Sequence, residues 1–514
     1  MTPDSKTQAI NVLLIYPEIP DTFWSFKHAL KFVGKKVSLP PLGLATIAAM
    51  LPKNWSLRLV DMNIRGLSME DLDWADYAFI SAMTVQRESS RKVINRCMEA
   101  GLKVVAGGPL FTVEHEHFPE VDYFVLNEAE LTLPEFLKEL DQGRPKRIYS
   151  TDKYADMGQT PIPRWDLLEL KHYATMSVQY SRGCPFNCDF CNITALLGRT
   201  PRNKSASQMI AELDGLYARG WRGGIFFVDD NLIGNKRRLK TELLPALIRW
   251  REGKKGVPFG TEASINLADD EELLAMMVAA GFDNVFIGIE TPNEASLAEC
   301  GKGQNIHRDL IRDVKRIQRF GIQVQGGFIV GFDNDDTGIF TRLVEFIQES
   351  GIATAMVGLL QAPPGTRLYS RLKQSGRLQE SFSGNNVDGT TNIIPVMNLE
   401  SLQNGYRELL KNIYSPAAYY QRVMTFLREY NFPSNKNPLH IRRPSESLMA
   451  LMRSIVRLGI LGKERFHYWK LFFWTLFRRP KALPMAVTLA IYGYHFRRIC
   501  ELRVLQDRSL CSGE

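Results

Sequence analysis

Cysteine is sparse. Seven residues, unevenly spaced along 514, exclude the disulfide framework of a small secreted domain. Long hydrophobic runs are missing too: no clean stretch reaches the roughly 18 apolar residues of a spanning helix. The opening residues, Met1 to Ala9, are polar and carry no secretory signal. Histidines number eight and are scattered. His115 and His117 alternate as on a strand, but no nearby cysteine pair completes a zinc set, so a surface role is expected. No acid or base is singled out. What is abundant is apolar content, 45%, ample for large cores. The length suggests two or three domains. A formal charge of +8 permits an anionic partner without naming one.

Three of the cysteines stand together in Cys184-Pro185-Phe186-Asn187-Cys188-Asp189-Phe190-Cys191, after an expected strand from Ala174 to Tyr180 and a tight Ser181-Arg182-Gly183 approach. Thiolates spaced CxxxCxxC can hold three irons of a 4Fe-4S cube and leave the fourth open. A three-ligand zinc site or chance clustering is the alternative. Zinc sets more often pair CxxC with a distant second pair or with histidines, and no such partner is present. Cys97 and Cys300 read as core or near-surface thiols, and Cys500 and Cys511 lie in the tail. The spacing, with Phe190 before the last cysteine, resembles the radical S-adenosylmethionine (SAM) superfamily motif. That resemblance implies that SAM binds the open iron and is split by an electron from the cluster, yielding a hydrogen-abstracting radical. It also implies a reducing electron donor and a reducing, cytoplasmic setting.

Residues 1–150 alternate short apolar runs (Val12 to Tyr16, Ser56 to Val60, Tyr77 to Ser81, Lys103 to Ala106, Tyr123 to Leu126) with helical patterns. Such alternation predicts α/β architecture with a doubly wound parallel sheet, its ligand edge at the carboxyl ends of the strands. Gly107-Gly108-Pro109 and Asn127-Glu128-Ala129-Glu130 fall at that edge; either serves a ligand or merely turns the chain. With Ser38-Leu-Pro-Pro-Leu-Gly-Leu44, the layout resembles the cobalamin-binding domain that precedes many radical SAM modules. Relatives that ligate cobalamin through histidine carry Asp-x-His-x-x-Gly. Here the stretch is Asp61-Met62-Asn63-Ile64-Arg65-Gly66, and the Asn63 amide cannot replace imidazole. The resemblance implies cobalamin bound without a protein axial ligand, or a fold kept after cofactor loss. If bound, Ser81 to Gln86 and Gly107, Gly108 would face the corrin or its tail.

Residues 151–375 begin with the linker Pro161-Ile-Pro-Arg-Trp165 and repeat strand and helix six times, which predicts a partial (β/α)6 barrel with polar strand ends around one pocket. Asp229 and Asp230 follow one strand; there, by resemblance, a carboxylate accepts the SAM amino group, or it caps the next helix. Glu262 lies inside a weakly polar strand and should be paired or pocket-facing. Gly288-Ile289-Glu290-Thr291 resembles the segment near the SAM ribose and methionyl portion, with Glu290 the polar candidate. Gly326 and Gly327 leave room beside the adenosyl group or serve tight turns. Tyr180, Arg182 and Gln361 are further pocket candidates.

Residues 376–514 open with a turn-rich stretch, to 397, that is either a lid or a connector, and continue as mainly helical patterns. Between 441 and 500, twelve lysines or arginines stand against two glutamates, beside Phe466, Tyr468, Trp469, Phe472, Phe473, Trp474 and Phe477. Rings among cations favour peripheral contact with an anionic membrane. Ordinary packing and nucleic-acid binding are the rivals, the last disfavoured because no RNA-binding module is recognisable. The whole layout resembles B12-domain radical SAM proteins with the helical region called DUF4070, a group that includes hopanoid C-2 methylases and archaeal lipid ring-forming enzymes. It implies radical modification of an unactivated carbon in a lipid or other hydrophobic molecule, foremost cobalamin-dependent C-methylation. Cobalamin-free cyclisation or carbon–carbon coupling, RNA modification, and a non-enzymatic cobalamin or SAM sensor stay open.

Overall fold

Runs such as Val12 to Ile15, whose side chains are wholly buried, need cover on both faces, which a parallel sheet wrapped by helices supplies. The computed structural model describes residues 10–254, 256–379, 382–385, 387–432 and 444–504. Its first sheet is all parallel: β1 (Asn11–Tyr16), β2 (Ser56–Asp61), β3 (Tyr77–Ser81), β4 (Lys103–Gly107), β5 (Tyr123–Val125) and β6 (Ile148–Tyr149), in the order β2-β1-β3-β4-β5-β6. Separate apolar cores cover its two faces. Strand order reverses beside β1, so a crevice opens at the carboxyl ends of β1 and β3. The buried Gln86 amide bridges it, donating to the Pro17 carbonyl at 2.6 Å and accepting from the Met83 N–H at 2.8 Å. His115 and His117 are not on a strand. They sit in one 3-10 turn after the helix Pro109–Glu114.

The second sheet starts with β7 (Thr175–Val178). A short antiparallel pair, β8 (Ser181–Arg182) and β9 (Arg202–Asn203), brackets the cysteine loop. The sheet continues through β10 (Gly224–Phe227), β11 (Phe259–Ala263), β12 (Phe282–Glu290), β13 (Gln323–Val330) and β14 (Ala355–Leu359), in the order β14-β13-β12-β11-β10-β7. Its neighbours are all parallel. Every second residue is fully buried under the helices, as with Ile225, Phe227, Val285, Ile287 and Val324. The alternate set, Phe226, Glu262, Phe286, Gln325 and Gly327, is half-buried and lines the concave face, two residues apart as the pleat dictates. Trp24, from the segment after β1, lays its ring 4.7 Å from Phe286. The two glycines of β13 therefore have protein partners. A Cβ on Gly327 would stand 2.7 Å from Phe286, and one on Gly326 would stand 2.7 Å from Phe328. Room for packed rings accounts for glycine at both positions.

The tail packs as helices Leu399–Ile413, Pro416–Glu429, Pro444–Ser454, Arg465–Arg478 and Leu483–Ile499. The apolar run beginning at Leu483 is an interior helix. Leu489, Phe496 and Ile499 are buried, and Phe496 meets Phe23 and Tyr414 at ring distances of 5.4 and 5.3 Å. Gly493 lets Tyr419 cross close by, where a Cβ would be 2.2 Å from the ring. No helix among the described residues is long and apolar enough to cross a membrane.

Candidate active site

The cysteine loop is positioned from behind by one carboxylate. Asp229, at the exit of β10 and fully buried, accepts from the Tyr180 N–H at 3.0 Å, from the Ser181 N–H, and from the Ser181 hydroxyl at 2.5 Å. Both its oxygens are engaged by chain, so Asp229 neither caps a helix nor offers a free oxygen; it fixes where the strand turns into the loop. Burial raises its pKa to about 7, against those bonds. Gly183 then takes φ of 91°, and a Cβ there would press to 2.8 Å on the Thr200 carbonyl. This turn needs glycine.

Beyond it, Cys184 and Cys191 are half-buried and Cys188 is buried. Asn231 directs its amide at the Cys184 sulfur and Gln304 at the Cys188 sulfur, each 3.9 Å away. Burial pushes all three thiols up, Cys191 to about 12, so thiolates there require a bound cation. Lys302 supplies positive charge beside Cys188 and Cys191. Burial opposes that charge, but Glu290, 2.6 Å away, more than restores it. Glu290 reaches this ion pair from a left-handed backbone, φ 66°, a strained position for a non-glycine residue. Its carboxylate is thus spoken for by Lys302 rather than standing open. No group of three or more His, Cys, Asp or Glu among the described residues converges as a single-ion site does. Phe190 packs on Phe332, ring centroids 6.3 Å apart, and belongs to a small apolar cluster with Cys300.

Open polar groups do exist beside the loop. The Tyr180 hydroxyl and one Asp230 oxygen are buried with no hydrogen-bond partner among the described residues. Burial lifts Tyr180 to about 12 and Asp230 to about 6. Glu262, one strand over on the concave face, is raised to about 8 by burial first and then by Asp230 and Asp229. These unsatisfied groups fit a polar ligand held against the strand ends.

The sequence missed what joins the two sheets. Arg182, two residues before Cys184, donates to Glu128 at 2.8 Å and to both oxygens of Glu130 at 2.9 and 2.8 Å. Arg202 adds a second clamp on Glu128 at 2.8 Å. Burial alone would raise Glu130, yet Arg182 and Thr160 hold it below the usual range. The carboxyl edge of the first sheet is thereby pinned to the cysteine loop. Opposite charges in the two sequence stretches were the signal that could have paired them.

At the first sheet's edge, Gly108 has φ of 88°, and a Cβ would meet the Ser81 hydroxyl at 2.6 Å; on Gly107 it would meet the Val125 carbonyl at 2.6 Å. The glycines here let neighbouring strand exits touch. Asn63 turns inward: it accepts from the Ile19 N–H at 2.8 Å and donates to Asp61 at 2.8 Å and to the Pro17 carbonyl at 3.3 Å. Asp61 also receives the Tyr173 hydroxyl at 3.0 Å, and burial raises its pKa. Asp61 and Asn63 thus brace the fold instead of facing an open ligand space. Gly66 is exposed, and a Cβ there would touch nothing within 4 Å. Gln361 likewise donates to a strap formed by residues 382–385 and 387–397, at 3.1 Å to the Thr390 carbonyl and 3.2 Å to that of Asn385. The strap in turn meets the first sheet, where Arg87 donates to the Phe382 carbonyl at 2.7 Å.

Residues 36–137 match the B12 binding domain, residues 178–347 the radical SAM superfamily, and residues 366–508 the domain of unknown function DUF4070. An uncharacterized methyltransferase of Synechocystis sp. is 41% identical over 96% of this chain and 92% of its own length. The hopanoid C-2 methylase of Rhodopseudomonas palustris is 34% identical over 91% of this chain and 90% of its own. The chain belongs to the B12-binding radical SAM family with a DUF4070 region. It is a radical SAM enzyme related to methyltransferases, as the Cys184/Cys188/Cys191 spacing leads one to expect. Among solved structures, the radical SAM methyltransferase TsrM from Kitasatospora setae, with cobalamin and a 4Fe-4S cluster bound, aligns over 96% of this chain and 99% of its own at a TM-score of 0.56. At 14% identity that likeness speaks for the fold alone.

Proposed function

We propose that this radical SAM enzyme methylates an unactivated carbon of a lipid or other hydrophobic molecule, with cobalamin as methyl carrier and an external reductant as electron donor. The observation that carries this reading is the 34% identity to a hopanoid C-2 methylase along nine-tenths of both chains. When bound, the cluster with SAM supplies one-electron chemistry and cobalamin a methyl group. In this reading Cys184, Cys188 and Cys191 hold the cluster, with Asn231 and Gln304 donating toward the sulfurs. Asp230 and Tyr180 meet the polar end of SAM, and Asp229 acts behind them as a positioning residue. The Arg182–Glu128–Glu130 ion pairs keep the cysteine loop facing the first sheet's edge. There Trp24 and Met83, exposed by 37% and 40%, offer apolar surface to a flat ligand. The concave face, with Phe226 and Phe286, would shield the substrate from water.

Asn63 favours a second reading. Its amide is engaged by Asp61, Pro17 and Ile19, and cobalamin-free radical cyclisation fits a first sheet that serves as scaffold. Extracted lipids from cells with and without the active protein decide between them: methylation adds CH2 to the product mass, whereas cyclisation removes hydrogen. Anaerobic purification followed by iron, sulfide and cobalamin analysis tests the cofactors. Cys184→Ala should lose the cluster's iron and sulfide while keeping the unfolding profile; full iron content and full activity would overturn the assignment. The same reading brings the enzyme to a bilayer as a peripheral protein.

A further inference from the structure

Among the described residues, ten of the twenty-one large hydrophobic side chains left exposed fall between Leu448 and Phe477. They lie on the hairpin of helices Pro444–Ser454 and Arg465–Arg478, joined through a π-helical turn, Ile455–Ile460. The tip carries Ile460, Leu461 and Phe466, exposed by 58%, 75% and 75%, and Phe477 at the far end is exposed by 76%. Loose packing does not explain this. The inner side is fixed by Tyr468 hydroxyl to Ser454 at 2.8 Å and by the Trp469 N–H to the Gly459 carbonyl at 2.9 Å, with Leu471 and Thr475 buried. From the half-buried Trp469 ring outward, Phe473 and then Phe477 stack in a ladder with interplanar angles of 22° and 15°.

Exposed cations share the stretch: Lys463, Arg465, Lys470 and Arg478. The hairpin's acids are already matched, Glu464 to Arg497 and Glu446 to Lys35. Beside the aromatic ladder, a cleft of about 370 Å³ opens between Arg465–Arg478 and Pro416–Glu429, lined by Gln421, Tyr420, His467 and Lys470. Tyr420 is 3% exposed, and its hydroxyl has no hydrogen-bond partner among the described residues. An interface with another protein usually depletes lysine at its core. Aromatic side chains interleaved with cations suit a headgroup layer instead, where rings sit at the acyl boundary and ammonium and guanidinium groups reach phosphate.

We propose that this hairpin docks on an anionic phospholipid bilayer, the Leu461–Phe466 tip entering the interface and the adjoining cleft receiving a lipid phosphate. It deepens the lipid-substrate reading and rests on it for the reason to visit a membrane. Its test is independent of turnover, so either can fail alone. The anaerobically purified full chain is floated with phosphatidylcholine vesicles with or without phosphatidylglycerol. Binding is expected only with phosphatidylglycerol and should fall as salt rises. Phe466→Ser with Phe477→Ser should weaken it roughly tenfold or more, from the apolar area withdrawn. Lys470→Glu should lower the dependence on phosphatidylglycerol while the unfolding profile stays unchanged. Equal binding to both vesicles, binding untouched by the double substitution, or self-association through this face without vesicle binding would overturn the proposal.

Discussion

Glu262→Gln isolates the electrostatics of the concave face. In an unfolded chain this carboxyl releases its proton near 4.5; in the fold it holds it to about 8, because burial, and then Asp230 and Asp229, oppose a negative charge. No hydrogen bond or ion pair of the Glu262 carboxyl offsets that cost among the described residues. The sign follows. A raised carboxyl favours the folded state fully below pH 4.5, and that contribution is lost as pH climbs toward 8. The separation corresponds to at most about 4.8 kcal/mol, at roughly 1.4 kcal/mol per unit. Glu262 is half-buried, and water on the concave face trims the penalty to about 2–4 kcal/mol. Glutamine keeps the shape and removes the titration. In protein free of cluster and SAM, thermal unfolding should therefore show the variant and the parent alike at pH 5. At pH 9 the variant should melt about 2–4 °C above the parent. A constant gap between the two pH values, or no gap at pH 9, would refute the reasoning.

Asp229→Asn replaces an acceptor of three hydrogen bonds with a group that can satisfy at most one side of that set. It should cost about 2–4 kcal/mol and lower iron and sulfide per chain after anaerobic reconstitution; parental iron content at parental stability would count against the positioning role. Gly108→Ala forces a Cβ to 2.6 Å from Ser81 at a φ of 88° and should cost about 1–3 kcal/mol, with cobalamin retention falling alongside. Gly66→Ala, which meets nothing within 4 Å, is the control and should change neither thermal stability nor retention.

Most strands of both sheets were legible because they are short apolar runs buried under helices, such as Val12 to Ile15 or Val285 to Ile289, whereas the two-residue edge strand Ile148–Tyr149 was too short to show a pattern. Helices that the pattern missed are short or interrupted. Lys27–Val33, Glu294–Glu299 and Arg367–Gln374 are each eight residues or fewer, and Leu239–Leu243 widens into a π turn just before Leu244–Arg251. The cysteine spacing was legible because three ligands on one loop need no tertiary information. Partners across the fold were not. Asp229 answers to a backbone 48 residues away, and Asn63 to one 44 away. Read locally, both looked available to ligands. The aromatic run in the tail mixed faces for the same reason: Tyr468 is 1% exposed and Phe477 76%, although nine positions separate them on one helix.

The ion pairs around Arg182 carry the argument from fold to chemistry. A buried guanidinium costs several kcal/mol to desolvate, and two glutamates return it only when the geometry is tight. A pair in this position is weak evidence for stability and better evidence for registry. Register is what two separate sheets need if one is to present a methyl donor and the other a radical at the same carbon. Arg182 stands two residues from Cys184, Asp229 holds the backbone just before it, and Glu128 and Glu130 begin the helix Ala129–Asp141 at the first sheet's edge. A shift of the first sheet would therefore pull directly on the cysteine loop. Placement of reactive groups within reach can contribute as much to a rate as a well-chosen acid or base, and Arg182, Glu128, Glu130 and Asp229 are the buried charges that hold the cysteine loop in place.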